Sequence, residues 1–346
     1  MVMYLSYIFW CLITALLHYS KKIDKKTFTV FTCLFLFVIM GFRGFNIGPD
    51  TYSYCKEFTA LQNYTGFFGI PDWNQNVGFT VFRFLLSKIT PNDARLYLLV
   101  VSAICSYSIF YLLDRYSENV LMSQIMLLSL SYVYFFMSGI KQTLSMSILI
   151  FAYDKLREKK NIAFLLLVGL ATLFHSTALV FILVLPASKL KLKKMYILLI
   201  PLVIIVGILY AKDLLETAIM YLEDTRYAAY GTYYESENNF SGLLIQVAIV
   251  IVTLFLSWKK LDDDEMQILL PMYTVGIFFQ SMTGVLAEFF RISMFFNIFG
   301  VIMLPKAFKL TNKKGANILE AFCVIIFILY FIFFSGPNSA YVPYLF

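Results

Sequence analysis

The chain has 346 residues, 60% of them hydrophobic and 14% charged, with a net charge of +7 and a mean hydropathy of +0.76. Soluble domains carry about 25% charged residues, so this composition excludes a soluble catalytic domain and predicts a polytopic all-α membrane protein. The basic residues sit in short clusters between apolar runs rather than in one patch, which argues against a nucleic-acid partner.

The first apolar run, Val2 to His18, lacks a basic leader and a small-residue cleavage site, and it reads as a retained span. Lys21, Lys22, Lys25 and Lys26 follow it, and the positive-inside rule puts that turn in the cytoplasm. A second span, 27–42, leads to Phe42-Arg43-Gly44-Phe45-Asn46-Ile47-Gly48-Pro49-Asp50-Thr51-Tyr52-Ser53-Tyr54 and an aromatic segment to about residue 76. The run 77–89 is short and carries Arg83, which suits a tilted, re-entrant or interfacial helix. Spans over 95–113 and 120–138 come next. Ser138-Gly139-Ile140-Lys141-Gln142 then breaks the pattern and starts another helix. The run 162–185 is interrupted by Phe174-His175-Ser176-Thr177 and is either one long helix or two short ones. A second polar loop spans about 212–241. Runs at 243–258, 266–286, 292–304 and 318–334 complete the chain. Lysine clusters at 155–160, 189–194, 259–260 and 306–314 all mark the inner face. The pattern predicts about twelve crossings in one membrane domain, 1–346, with outer loops at about 43–76 and 212–241.

That topology is set by lysines, yet it brings Arg43, Asp50, Lys141, His175, Arg226, Glu235, Glu288 and Arg291 to the opposite face. Arginine reads phosphate oxygens with a planar fork and lysine adds a point charge, so four cations at one mouth suit an anionic ligand such as pyrophosphate. Tyr227 and Tyr230 beside Arg226 offer rings and hydroxyl edges suited to sugars, although an interfacial aromatic belt is the plainer reading of any one tyrosine. His175 and Asp50 are candidate bases. A packing role for the histidine and a helix-capping role for the aspartate are the alternatives. The five cysteines and two histidines show no metal-ligand spacing, and no cofactor is expected.

These segments resemble a known family. FRGFNIGPDTYSY (42–54), SGIKQTLSMSILIFA (138–152), FHSTAL (174–179), RYAAY (226–230), FFRISMFF (289–296) and VPY (342–344) are similar, in order and spacing, to the EpsG-like, Wzy-type polysaccharide polymerases. Lys141 stands where that family usually has Arg, which keeps the charge and loses the fork. Gln142 matches the family's Gln. The resemblance implies a GT-C-like bundle in the bacterial inner membrane, active on its periplasmic side. It implies a glycosyltransferase that moves a growing O-antigen, capsular or exopolysaccharide chain from undecaprenyl pyrophosphate to the non-reducing end of the next lipid-linked repeat unit. A chain-length-determining co-polymerase is the implied protein partner.

In that reading Arg43, Lys141, Arg226 and Arg291 neutralise the leaving pyrophosphate without a metal, and a single displacement inverts the anomeric centre. A lipid-linked oligosaccharide flippase should instead place charges along a cavity open to both faces. An O-antigen ligase should show one dominant outer loop. Here mid-span segments are almost uncharged and two moderate loops share the polar residues.

Overall fold

Caps, glycines and lysine turns punctuate the apolar runs, and a computed structural model of the chain starts and stops its helices at those points. It describes residues 1–90, 93–190, 194–221, 241–286, 288–311 and 314–344. All regular structure among them is helical. Four helical stretches there are long and apolar enough to cross a membrane: Val2–Tyr19, Ala94–Tyr116, Phe289–Leu310 and Ala316–Ser335. A fifth is the pair Val120–Ser129 and Tyr132–Ser138, bent by 58°. The chain gathers into two compact units, one of Met1–Leu179 with Lys314–Phe346 and one of Val180–Lys313.

The first unit contains α1 (Val2–Tyr19), α2 (Lys25–Gly41), α3 (Thr51–Ala60), α4 (Val77–Ile89), α5 (Ala94–Tyr116), α6 (Val120–Ser129), α7 (Tyr132–Ser138), α8 (Ile140–Arg157) and α9 (Asn161–Phe174). Side chains cap three of these helices. Asp24 accepts the Thr27 amide at 2.8 Å, Asp93 accepts that of Arg95 at 2.8 Å, and Asn119 accepts that of Met122 at 3.0 Å. Helices α1, α2, α5, α8 and α9 pack in succession. A buried polar chain ties three of the elements: Tyr7 donates to Gln124 Oε1 at 2.6 Å, and Gln124 Nε2 donates to Thr32 Oγ1 at 2.7 Å.

Helix α4 has 13 residues, about 20 Å of rise, too short for a hydrocarbon core of about 30 Å. It lies against α3 and α9 over a core of Phe58, Phe79, Tyr97, Ile140 and Leu144, where Phe58 and Tyr97 stack with ring centroids 4.6 Å apart. The run containing His175 is two pieces. Helix α9 ends at Phe174, and a tighter 3-10 segment, Ser176–Leu183, follows.

Helices α10 (Val184–Ala187), α11 (Tyr196–Tyr221), α12 (Ser241–Ser257), α13 (Met266–Ser281), α14 (Phe289–Asn297) and α15 (Gly300–Leu310) build the second unit, and α16 (Ala316–Tyr330) returns to the first. In the second unit α13 is central, touching α10, α11, α12, α14 and α15.

Candidate functional site

The break between α7 and α8 organises the site. Leaving the helix at Ser138-Gly139 turns the carbonyl of Met137 out of the ladder, and three groups converge on it. Arg43 Nη2 donates to it at 2.7 Å, the Thr51 hydroxyl lies 2.8 Å away, and a side chain on Gly48 would meet it at 3.2 Å. Gly48 has φ +93°, which L side chains rarely adopt, so the turn after Arg43 requires glycine here. Its amide donates to Ala340 O at 2.9 Å in the C-terminal segment. In that segment Tyr341 stacks on Tyr134 at 4.5 Å and Tyr344 donates to Ile39 O at 2.7 Å.

Arg43 is only 1% exposed and also donates to Met40 O. The sequence reading puts this guanidinium at an open mouth. The structure instead encloses it, because the carbonyl freed by the helix break lies within its reach. Burial pulls the Arg43 guanidinium down to about 10, which leaves it charged at neutral pH. Arg95 braces the same turn, donating to Arg43 O at 2.5 Å and to Gly41 O at 3.1 Å, with its guanidinium over the Phe45 ring.

One residue beyond Met137, Ser138 Oγ donates to Asp50 Oδ2 at 3.1 Å. Asp50 occupies the capping position of α3, yet its carboxylate makes no capping bond. It is held half-buried beside Tyr54 instead. Burial, with the negative Asp50 nearby, pushes the Tyr54 phenol up to about 12, so it stays a protonated hydroxyl. The backbone amide of Lys141, in the first turn of α8, hydrogen-bonds that phenol. The Lys141 ammonium lies 5.9 Å from the Tyr54 ring centre and 5.5 Å from that of Phe79. Gln142 is buried behind it.

A second cation completes the cluster. Arg83, 7% exposed, lies 4.5 Å over the Phe79 ring and pairs with Glu57 at 2.6 Å. Its Nε and the Tyr97 hydroxyl are both buried without a hydrogen-bond partner. Two cations, Lys141 and Arg83, and two carboxylates, Asp50 and Glu57, therefore surround Tyr54 and Phe79. In the sequence Arg83 interrupts the apolar run 77–89 and has no role assigned to it. An ionisable residue in such a run is costly unless it is used, and that cost was the available signal. Glu57 carried no signal, since it is one charge in a polar loop.

His175 stands beside the N-terminal end of α4. It caps α9 in an extended conformation, half-buried, with its amide on Ala171 O at 3.0 Å and its carbonyl accepting from Ala178 at 2.9 Å. Asn76, itself left-handed at φ +50°, accepts the Ser176 amide at 3.2 Å. Gly78 lets α4 approach closely, because a Cβ there would lie 2.9 Å from Leu173 Cβ and 3.2 Å from the Leu173 carbonyl carbon. The helix bearing Phe79 and Arg83 is thus keyed to the break bearing His175.

Of the other sequence candidates, Arg291 belongs to the second unit, exposed at the start of α14 with its amide on Glu288 O at 2.9 Å. Arg226, Tyr227, Tyr230 and Glu235 lie outside the described residues.

The model of the EpsG family matches residues 26–346, nearly the whole chain, and the chain belongs to that family. No curated protein and no solved structure matches.

Proposed function

For a membrane protein of the EpsG family, we propose glycosyl transfer between two lipid-linked oligosaccharides, with the cluster around Tyr54 and Phe79 as its reacting centre. The observation that carries this reading is the pairing of a half-buried carboxylate, Asp50, with two cations, Lys141 and Arg83, across the same two rings. A displacement at an anomeric carbon with a pyrophosphate leaving group needs those two functions.

In the proposed step the acceptor's non-reducing-end hydroxyl oxygen attacks the donor's anomeric carbon and its proton passes to Asp50. The bond from that carbon to the pyrophosphate oxygen breaks, and the electron pair leaves with undecaprenyl pyrophosphate. Lys141 and Arg83 neutralise the departing charge, and Glu57 yields Arg83 to the ligand. Arg226 and Arg291 are further candidate pyrophosphate ligands, and Tyr227, Tyr230 and Gln142 candidate sugar contacts. A single displacement inverts the anomeric centre, and the charge it develops is met by side chains. A positioned general base contributes about 10²–10⁴-fold. His175 is the alternative base.

Arg43 acts in this reading as a positioning residue. It fixes the Met137 carbonyl, and so the neighbouring Ser138 that orients Asp50. We further read the bundle as crossing the bacterial inner membrane about twelve times, as GT-C-like, and as active at the periplasmic side. O-antigen, capsule or exopolysaccharide would be the product class, with a chain-length co-polymerase as partner.

The test is purified protein in detergent with a lipid-linked repeat unit as sole substrate and chelator present. A product ladder spaced by one repeat, with release of lipid pyrophosphate, supports the polymerase. No ladder, together with transbilayer movement of the same lipid in proteoliposomes, supports a flippase and overturns it. Transfer only to a non-lipid-linked acceptor would mean a ligase.

A further inference from the structure

The second unit holds a groove of about 840 Å³, walled by α11 and α12 and closed at one end by the last residues of α15. Its walls are apolar: Ile204 from one helix faces Val247, Ile251 and Phe255 from the next. Ile251 and Phe255 are more than half exposed, so the groove opens sideways.

Its polar groups are confined to one end and carry one sign. Lys259 and Lys260 follow the last turn of α12 and line the rim. Lys194, just before α11, lies 5.7 Å over the ring of Trp258, which lines the same rim. The acids of the following turn do not neutralise this rim by pairing. Asp263 and Glu265 pair with Lys306, at 3.6 and 3.4 Å, and neither Lys259 nor Lys260 forms an ion pair among the described residues.

Depth gives the third constraint. From Trp258 at the rim to Val247 at the far end is eleven residues of chain, about 16 Å at the helical rise. That is close to half of a hydrocarbon core of about 30 Å. The groove therefore runs the depth of one leaflet, with an amphipathic ring and lysines at the headgroup level. Lysines near a membrane surface attract anionic lipid, and basic pockets between membrane helices hold anionic headgroups.

We propose that this groove binds one anionic phospholipid from the leaflet on the lysine-bearing side. Its acyl chain lies between Ile204 and Ile251, and its headgroup phosphate sits on Lys259 and Lys260. The groove shares no residue with the cluster around Tyr54 and carries no chemistry.

The test is native mass spectrometry of the full chain, delipidated in detergent, titrated with dioleoyl phosphatidylglycerol or dioleoyl phosphatidylcholine. One phosphatidylglycerol should bind well ahead of phosphatidylcholine. Removing two lysine charges in Lys259→Gln with Lys260→Gln should weaken phosphatidylglycerol by about 25-fold, roughly fivefold per lysine, and leave phosphatidylcholine unchanged. Ile251→Trp, which fills the groove and keeps the charges, should lower occupancy of both. Equal binding of the two lipids, an unchanged double variant, or displacement of phosphatidylglycerol by a polyprenyl phosphate at equimolar concentration would each overturn the proposal. The variants' elution from size exclusion checks that the chain is folded in every arm.

Discussion

Replacing Arg43 by alanine should damage folding before it damages chemistry. The guanidinium is 1% exposed and spends two donors on the carbonyls of Met40 and Met137. A hydrogen bond from a charged group is worth about 1.5–3 kcal/mol, and a buried carbonyl left without its donor bears its own desolvation cost. Two such bonds put the loss at about 3–6 kcal/mol. For a chain of this size that is a fall in Tm of about 6–12 °C, at roughly 2 °C per kcal/mol. Arg43→Lys keeps a charge and cannot span both carbonyls, so it should recover only part of the loss. The assay is thermal unfolding of purified variants in detergent, followed by intrinsic fluorescence, beside the transfer rate at a temperature where each variant is folded. Arg43→Ala that melts with the wild type and yet has lost activity would refute the clamp. It would return this arginine to direct contact with the ligand.

Other consequences follow from the same geometry. Gly78→Val should push the end of α9 off α4, because even a Cβ would lie 2.9 Å from Leu173; a stability loss on the order of 1–3 kcal/mol and a lower transfer rate are expected, read by melting and by product ladder. Glu57→Gln strips a buried guanidinium of its carboxylate while leaving the shape; it should lower Tm by a few degrees and change the donor KM more than Tyr52→Phe, an exposed control. The Cys55 thiol, buried in α3 and pushed up to about 11 by burial, is an acid held protonated; labelling of Cys55 by N-ethylmaleimide, read by peptide mass, should be negligible at pH 7 and should rise as pH climbs toward 11 or on unfolding.

Much of the helical plan is visible in the sequence, since it rests on local signals. Asp24, Asp93 and Asn119 cap where a capping residue precedes an apolar run. The Ser138-Gly139 break, the interruption at His175 and the shortness of 77–89 all appear as expected. The environment of Arg43 is not visible, because it is fixed by a carbonyl 94 residues away whose release from the helix no periodicity encodes. The same holds for Arg83, whose partner Glu57 belongs to another helix, and for Tyr341 and Tyr344, which reach Tyr134 and Ile39 only through tertiary folding. Asp50 shows the two levels together. Sequence puts it at a helix start, which is right, and offers it two roles, base or cap; the capping bond is absent, and Ser138 donates to the carboxylate instead.

The most direct test of the central claim is the single-turnover transfer rate of Asp50→Asn, with donor and acceptor lipids both saturating and the fold verified by melting. A fall of about 10²–10⁴-fold with donor binding retained is expected for loss of a general base. A folded Asp50→Asn enzyme that transfers at the wild-type rate would contradict that role.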